Sequence, residues 1–191
     1  MKYDAIVIGV SAGGLVALVK LLQQLPPYFP IPVIIVQHRS KEERTLLEEV
    51  MQSKCSVRIK QADEKEKIKS GVVYFAPADY HLLIESDRSF SLTYDERVNY
   101  SRPSIDVLFE TAAAVYKNRL LGIILTGANK DGTEGIKMIG RHGGATVAQE
   151  PRTAAFPEMP QAAIDTGYVQ YVMNLDEIRD LIISQNSLHY G

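Results

Sequence analysis

Residues 3–25, YDAIVIGVSAGGLVALVKLLQQL, contain the pattern on which the predicted fold depends. The first eight residues form a near-continuous apolar run, which is typical of a buried strand. Four small residues follow, and residues 15–25 then have helical spacing up to Pro26-Pro27, which ends the helix. A buried strand that leads through a tight turn into a helix predicts the first unit of a parallel sheet.

The same alternation continues along the chain. Further strands are predicted at residues 32–38, 57–60, 72–76, 81–85, 90–94, 120–126, 145–149 and 168–172. Further helices are predicted at residues 42–51, 104–116, 132–142, 159–166 and 176–184. The three short strands between 72 and 94 are joined by polar turns, which predicts a meander or hairpin. We therefore predict an α/β fold: a doubly wound, mostly parallel sheet in three layers, with helices on both faces and a small antiparallel β insertion. Without internal repeats or linkers, residues 1–191 are expected to form one domain.

Composition excludes several classes of function. The 191 residues are 46% hydrophobic and 23% charged, which is average for a soluble globular protein. The net charge of -2 argues against nucleic acid as the main partner, because phosphate binding requires a basic surplus. No apolar stretch approaches the roughly 18 residues of a membrane span, and we expect no secretory signal. The single cysteine, Cys55, cannot form an internal disulfide. We expect a cytoplasmic protein with no membrane insertion.

The turn after the first predicted strand, Gly9 to Gly14, allows three interpretations. A dinucleotide fingerprint requires a second glycine where this chain has Ser11, and no acidic residue ends the next strand. Alternatively, the serine caps the following helix. The third interpretation is a nucleophile elbow, because Gly9-x-Ser11-x-Gly13 fits G-x-S-x-G between a strand and a helix.

Two more predicted strands end in polar residues. His38 follows the second strand; it is either a hydrogen-bonded core histidine or a general base within reach of Ser11. Asp131 follows the strand at 120–126; it either caps the next helix, with Glu134 completing a capping box, or orients His38. Ligands gather at the carboxyl ends of parallel strands. Three catalytic residue types at three such ends favour a Ser-His-Asp site.

Other candidates are weaker. His81 either lines the site or only begins a strand, His142 suits a helix C-terminus, and His189 lies in the terminal tail. The chain contains no zinc motif, paired cysteines or calcium loop, so we expect no metal and no cofactor.

Five segments together resemble the catalytic domain of CheB, the chemotaxis protein-glutamate methylesterase. They are IGVSAGG (8–14), VQHR (36–39), SRPSIDVLF (101–109), LTGANKDGTEG (125–135) and QEPRTAAFPEMPQAAIDTG (149–167). The resemblance implies a doubly wound parallel sheet with a β hairpin. It also implies that the catalytic residues are Ser11, His38 and Asp131.

The chain departs from this family in two respects. Many members have Met-Gly-Asn before the aspartate, whereas this chain has Ala128-Asn129-Lys130, so a role of that methionine near the oxyanion is not carried over. Many members also have an N-terminal receiver domain. Here the catalytic domain begins at residue 1, so we expect no receiver domain. If the activity is controlled, we expect a separate regulatory protein to control it.

The resemblance implies removal of methyl esters from glutamate side chains in the cytoplasmic domain of a methylated chemoreceptor. It further implies deamidation of receptor glutamines at the same site. In the predicted mechanism Ser11 attacks the ester, His38 accepts its proton, and the N–H of Ala12 stabilises the oxyanion. Two alternatives stay open: a serine esterase of the same fold that acts on another ester, and a binding module without activity.

Overall fold

The computed structural model describes residues 3–38 and 47–186. Within these ranges the strands are β1 (Ala5–Val10), β2 (Val33–Gln37), β3 (Arg58–Gln61), β4 (Val72–Phe75), β5 (His81–Ile84), β6 (Phe90–Thr93), β7 (Leu120–Ile124), β8 (Ala145–Gln149) and β9 (Tyr171–Met173). The α-helices are α1 (Gly14–Leu22), α2 (Leu47–Gln52), α3 (Ile105–Tyr116), α4 (Thr133–Arg141), α5 (Glu158–Asp165) and α6 (Leu175–Ser184). The helix predicted at 42–51 is described only from residue 47 onward. Arg39 and His189 lie outside the described residues.

The main sheet has seven strands in the order β3-β4-β2-β1-β7-β8-β9, and every neighbouring pair is parallel. β1 lies at its centre, and all six of its residues are buried. Alternate residues of β1 face opposite cores, with Ile6 and Ile8 in one and Ala5 and Val7 in the other. Burial on both faces explains why the strand sequence is continuously apolar rather than alternating. The predicted doubly wound α/β architecture is confirmed.

One part of the predicted topology is wrong. β4 does not belong to a meander with the next two strands; it lies inside the parallel sheet between β3 and β2. All four residues of β4, VVYF, are buried, as expected for a strand covered on both faces. Only β5 and β6 pair antiparallel, as a separate hairpin.

The helices divide between the two faces of the sheet. Residues of α1, α2 and α6 share one apolar core, and residues of α3, α4, α5 and the β5–β6 hairpin share the other. The chain therefore leaves β1 toward one face and leaves β7 toward the opposite face. Neighbouring strands whose connections diverge in this way form a crevice at their carboxyl ends, where ligands of such sheets bind. Among the residues that the structure describes, no helix has the length and apolar composition that crossing a bilayer requires.

Candidate active site

Ser11 lies in the turn between β1 and α1, at this crevice. Its N–H donates to the carbonyl oxygen of Thr126, beyond the end of β7, at 3.0 Å. Gly13 is the N-cap of α1 with φ of 77°, a left-handed conformation that favours glycine, and no side chain caps this helix. The interpretation of Ser11 as a helix cap is therefore wrong. Within residues 3–38 and 47–186, the Ser11 hydroxyl forms no hydrogen bond.

The register of β1 and β2 brings His38 beside Ser11. Val10 pairs with Gln37, and the N–H of His38 donates to the carbonyl oxygen of Val10 at 3.0 Å. The Gln37 side-chain amide donates to two carbonyl oxygens, that of Ser11 at 3.0 Å and that of His38 at 3.1 Å. One amide group therefore links the backbones of these two residues.

Asp131 lies on the other side of the imidazole. Its Oδ2 is 2.8 Å from Nε2 of His38, and its side chain is 0% exposed. The same oxygen accepts from the N–H of Ile105 at 2.6 Å, and Oδ1 accepts from the N–H of Asp106 at 3.2 Å. Both N–H groups open α3, where helix N–H groups have no partner within the helix. Asp131 thus stabilises the start of α3.

The alternative interpretation, that Asp131 caps α4 with Glu134 in a capping box, is wrong. The N-cap of α4 is Gly132, with φ of 97° and no side-chain cap. The Asp131 carboxylate reaches only the N–H of Gly132 on that side, at 3.1 Å, because its other bonds hold it against α3.

The hydrogen bonds to Asp131 determine its charge. Burial alone raises the pKa of Asp131, but the bonds from His38 and from the Ile105 N–H outweigh it, and the pKa lies below its ordinary value of 3.8. The carboxylate is ionised at neutral pH and can only accept hydrogen bonds. Nε2 of His38 therefore carries a proton, and this N–H donates a hydrogen bond to Asp131.

Asn129 determines the state of the other ring nitrogen. Its Oδ1 accepts from the N–H of Asp131 at 3.0 Å, and its Nδ2 lies 3.2 Å from Nδ1 of His38. Since the amide nitrogen can only donate, Nδ1 accepts and carries no proton. The unprotonated nitrogen of the imidazole is therefore Nδ1, and Asn129 is its partner. In the serine-protease arrangement the two nitrogens have the opposite roles.

Sequence reasoning missed the carboxyl group that lies beside Asp131. Asp106 accepts from the N–H of Gly135 at 2.7 Å and from Asn99 Nδ2 at 2.8 Å, and the same Asn99 nitrogen donates to Asp131 Oδ1 at 3.1 Å. Burial raises the pKa of Asp106 to about 6, with the Asp131 charge adding to this effect and the Gly135 bond opposing it. Asn99 lies in an irregular loop, and no local pattern indicated its role.

The two other histidines in the described part of the chain have structural roles. His81 is buried at the start of β5; its Nδ1 accepts from the N–H of Ser104 at 3.2 Å, and its Nε2 donates to the carbonyl oxygen of Glu96 at 2.9 Å. It supports the start of α3. His142 ends α4 and donates from Nδ1 to the carbonyl oxygen of Met138 at 2.8 Å, as its position predicted.

The N–H of Ala12 is available as a donor next to Ser11, since no residue in the described part of the chain accepts from it. The turn around it is fixed by Thr126, whose hydroxyl donates to the Ala12 carbonyl oxygen at 2.9 Å and accepts from the N–H of Phe156 at 2.9 Å. A fixed donor of this kind can stabilise an oxyanion that forms on a carbonyl attacked by Ser11.

Comparison with known proteins identifies the family to which this chain belongs. The family model described as CheB methylesterase matches residues 6–182. A Leptospira interrogans relative is 52% identical over 190 residues, covering 98% of both chains. The protein-glutamate methylesterase/protein-glutamine glutaminase of Clostridium acetobutylicum is 34% identical over 94% of this chain and 52% of its own. The crystal structure of the Thermotoga maritima CheB methylesterase catalytic domain has a TM-score of 0.91 and 32% identity, covering 97% of this chain and all of that one. This chain therefore belongs to the CheB methylesterase family.

Proposed function

We propose that this chain is a protein-glutamate methylesterase whose nucleophile is Ser11, whose general base is His38, and whose orienting acid is Asp131. The observation that carries the proposal is the 2.8 Å contact of His38 Nε2 with Asp131, in a register that sets His38 beside Ser11. The names of family relatives, which pair glutamate methylesterase with glutaminase activity, support the choice of substrate.

The reaction begins when Ser11 Oγ attacks the carbonyl carbon of a glutamate methyl ester. Nδ1 of His38 accepts the hydroxyl proton, and the Asp131 carboxylate stabilises the imidazolium that forms. The N–H of Ala12 donates to the oxyanion of the tetrahedral intermediate. His38 then returns the proton to the methoxide, so that methanol leaves and the glutamyl group stays on Ser11. Water, activated by the same nitrogen, releases free glutamate.

The same acyl-enzyme forms from a glutamine side chain when ammonia leaves instead of methanol. Glutaminase activity is therefore the second function that we propose, supported by the paired activities in the relatives' names. The proposed partner is the cytoplasmic domain of a methylated chemoreceptor. Residues 1–191 act as one catalytic domain in the cytoplasm. No step of the proposed reaction requires a cofactor.

The test is methanol release from a receptor fragment whose glutamates carry methyl esters, with EDTA present. We expect release by the wild type and by Ser70→Ala, which removes an exposed serine hydroxyl far along the chain, and none by Ser11→Ala. Hydrolysis of a small activated ester without release from the fragment favours the alternative esterase. Activity on neither substrate favours the binding module.

A further inference from the structure

The side chain of Asn129 lies between the backbone of Asp131 and the ring of His38. Its orientation is unambiguous, because the Asp131 N–H can only donate and therefore faces the amide oxygen, at 3.0 Å. The amide nitrogen then faces Nδ1 of His38, at 3.2 Å. With Nε2 bonded to Asp131 at 2.8 Å, both ring nitrogens have partners before any substrate binds.

This arrangement leaves the nucleophile without its base. Nδ1 is the nitrogen that must accept the proton of Ser11, yet a different donor occupies it. Among the described residues the Ser11 hydroxyl has no hydrogen-bond partner. An imidazole nitrogen has a single lone pair in the ring plane, so the Asn129 amide and the Ser11 hydroxyl compete for it.

We propose that Asn129 is a positioning residue that caps the basic nitrogen of His38 in the resting protein, and that Ser11 reacts only after it displaces this amide. The inference rests on the proposed function, since it assigns Ser11 as the displacing group. The cap occupies the lone pair of Nδ1 before substrate binds, and it lowers the fraction of molecules in which the nucleophile is activated.

The loop that carries the cap can release it. Asn129 is half-buried, whereas Ala128 and Lys130 on either side are exposed. The bond to be exchanged is one neutral hydrogen bond, and a serine hydroxyl replaces most of its energy. Removal of the cap is therefore expected to raise the rate of Ser11 activation by only about 2- to 10-fold, the range that one net hydrogen bond allows.

Two variants separate the cap from the loop contact. Asn129→Ser retains an oxygen that can accept from the Asp131 N–H, as serine does in turns of this kind, but is too short to reach Nδ1. Asn129→Ala removes both contacts. Lys130→Ala, which removes an exposed neighbour on the same loop, is the matched control.

The first readout is the second-order rate constant for labelling of Ser11 by a small fluorophosphonate, which requires no receptor. We expect about 2- to 10-fold faster labelling in both Asn129 variants and an unchanged rate in Lys130→Ala. If labelling of Asn129→Ser is unchanged or slower, the proposal is wrong. If only Asn129→Ala labels faster, the loop contact rather than the cap is responsible, and the proposal is also wrong.

The second readout is the imidazole ¹⁵N NMR spectrum of the free protein. The wild type is expected to show His38 protonated at Nε2 and hydrogen-bonded at Nδ1, with the Nδ1 resonance moving downfield in Asn129→Ser. An unmoved resonance excludes the cap whether or not the protein is an esterase. Conversely, faster labelling and a moved resonance, without methanol release from the receptor fragment, uphold the cap and refute the proposed substrate.

Discussion

Asp131 and Ser11 lie on opposite sides of the His38 imidazole and are held by different kinds of contact. The Asp131 carboxylate is inaccessible to solvent and is bonded through its side chain to His38, Asn99, Ser104, Ile105 and Asp106. Ser11 is held only through its backbone, whose N–H contacts Thr126 and whose carbonyl oxygen accepts from Gln37 and Gly14. The proposed acid is thus fixed in place by the start of a helix, whereas the proposed nucleophile keeps a hydroxyl that is free to rotate.

This difference separates activity from stability. A substitution at the Ser11 hydroxyl removes no hydrogen bond between described residues, so it is expected to change the reaction alone. A substitution at Asp131 removes buried acceptors on which the start of α3 depends, so it is expected to change both.

The largest effect is expected from Ser11→Ala. Loss of the nucleophile should reduce turnover of the methyl ester by up to about 10⁶-fold, as for other serine hydrolases in which nucleophile and base act as one unit. The free energy of unfolding should stay within about 0.5 kcal/mol of the wild type. Methanol release and urea denaturation measure the two quantities, and Ser70→Ala is the control. Turnover close to that of the wild type would refute the assigned nucleophile.

Asp131→Asn is expected to lower turnover by about 10⁴-fold, because an amide cannot hold the required tautomer of His38. It should also lower the free energy of unfolding by about 2–3 kcal/mol, since the buried N–H and O–H donors around it lose a charged acceptor. Ser104→Ala, which removes one donor to Oδ1, should cost only about 1 kcal/mol. An Asp131→Asn variant as stable as the wild type would show that the Asp131 carboxylate does not stabilise the start of α3.

The titration of Asp106 provides a test of the electrostatics around Asp131. Its pKa is raised from an ordinary 3.8 to about 6 in the folded protein, so the folded state binds this proton more tightly than the unfolded chain. The contribution to stability is complete below pH 3.8 and is lost as the pH rises through about 6. Relative to Asp106→Asn, the free energy of unfolding of the wild type should fall by on the order of 3 kcal/mol between pH 4 and 7. Urea denaturation of both proteins across this range measures it, and parallel curves contradict it.

The smallest effect is expected from Thr126→Val, which preserves shape but removes the hydroxyl that fixes the turn at Ala12. Loss of its bonds to Ala12 and Phe156 should cost about 1 kcal/mol of stability. Turnover should fall several-fold as the oxyanion donor loses its fixed position. If turnover is unchanged while stability falls, the backbone around Ser11 is held well enough without this hydroxyl.

Local patterns predicted most of the fold, because buried parallel strands such as β1 and β7 are apolar along their whole length. They could not place β4. A four-residue apolar run is the same whether it pairs with a hairpin neighbour or with β2, and its partner is set by contacts about forty residues away in the chain.

The arrangement of the candidate site was predictable to a similar degree. The proximity of Ser11 and His38 was predicted because strand ends meet at one edge of a parallel sheet. The contact between Asp131 and the start of α3 was not found, because it joins segments about 25 residues apart and resembles a local cap in the sequence. Asn129 was noticed only as a departure from the family, and its contact with His38 depends on side-chain geometry.

The central claim is that Ser11, activated by His38, carries the hydrolysis of glutamate methyl esters. The most direct measurement is mass spectrometry of the protein after partial labelling with a fluorophosphonate, combined with methanol release from the methylated receptor fragment in the same samples. We predict one adduct per chain, located on Ser11, absent in His38→Ala, with methanol release falling in proportion to the labelled fraction. An adduct on another serine, or full methanol release from completely labelled protein, would contradict the account.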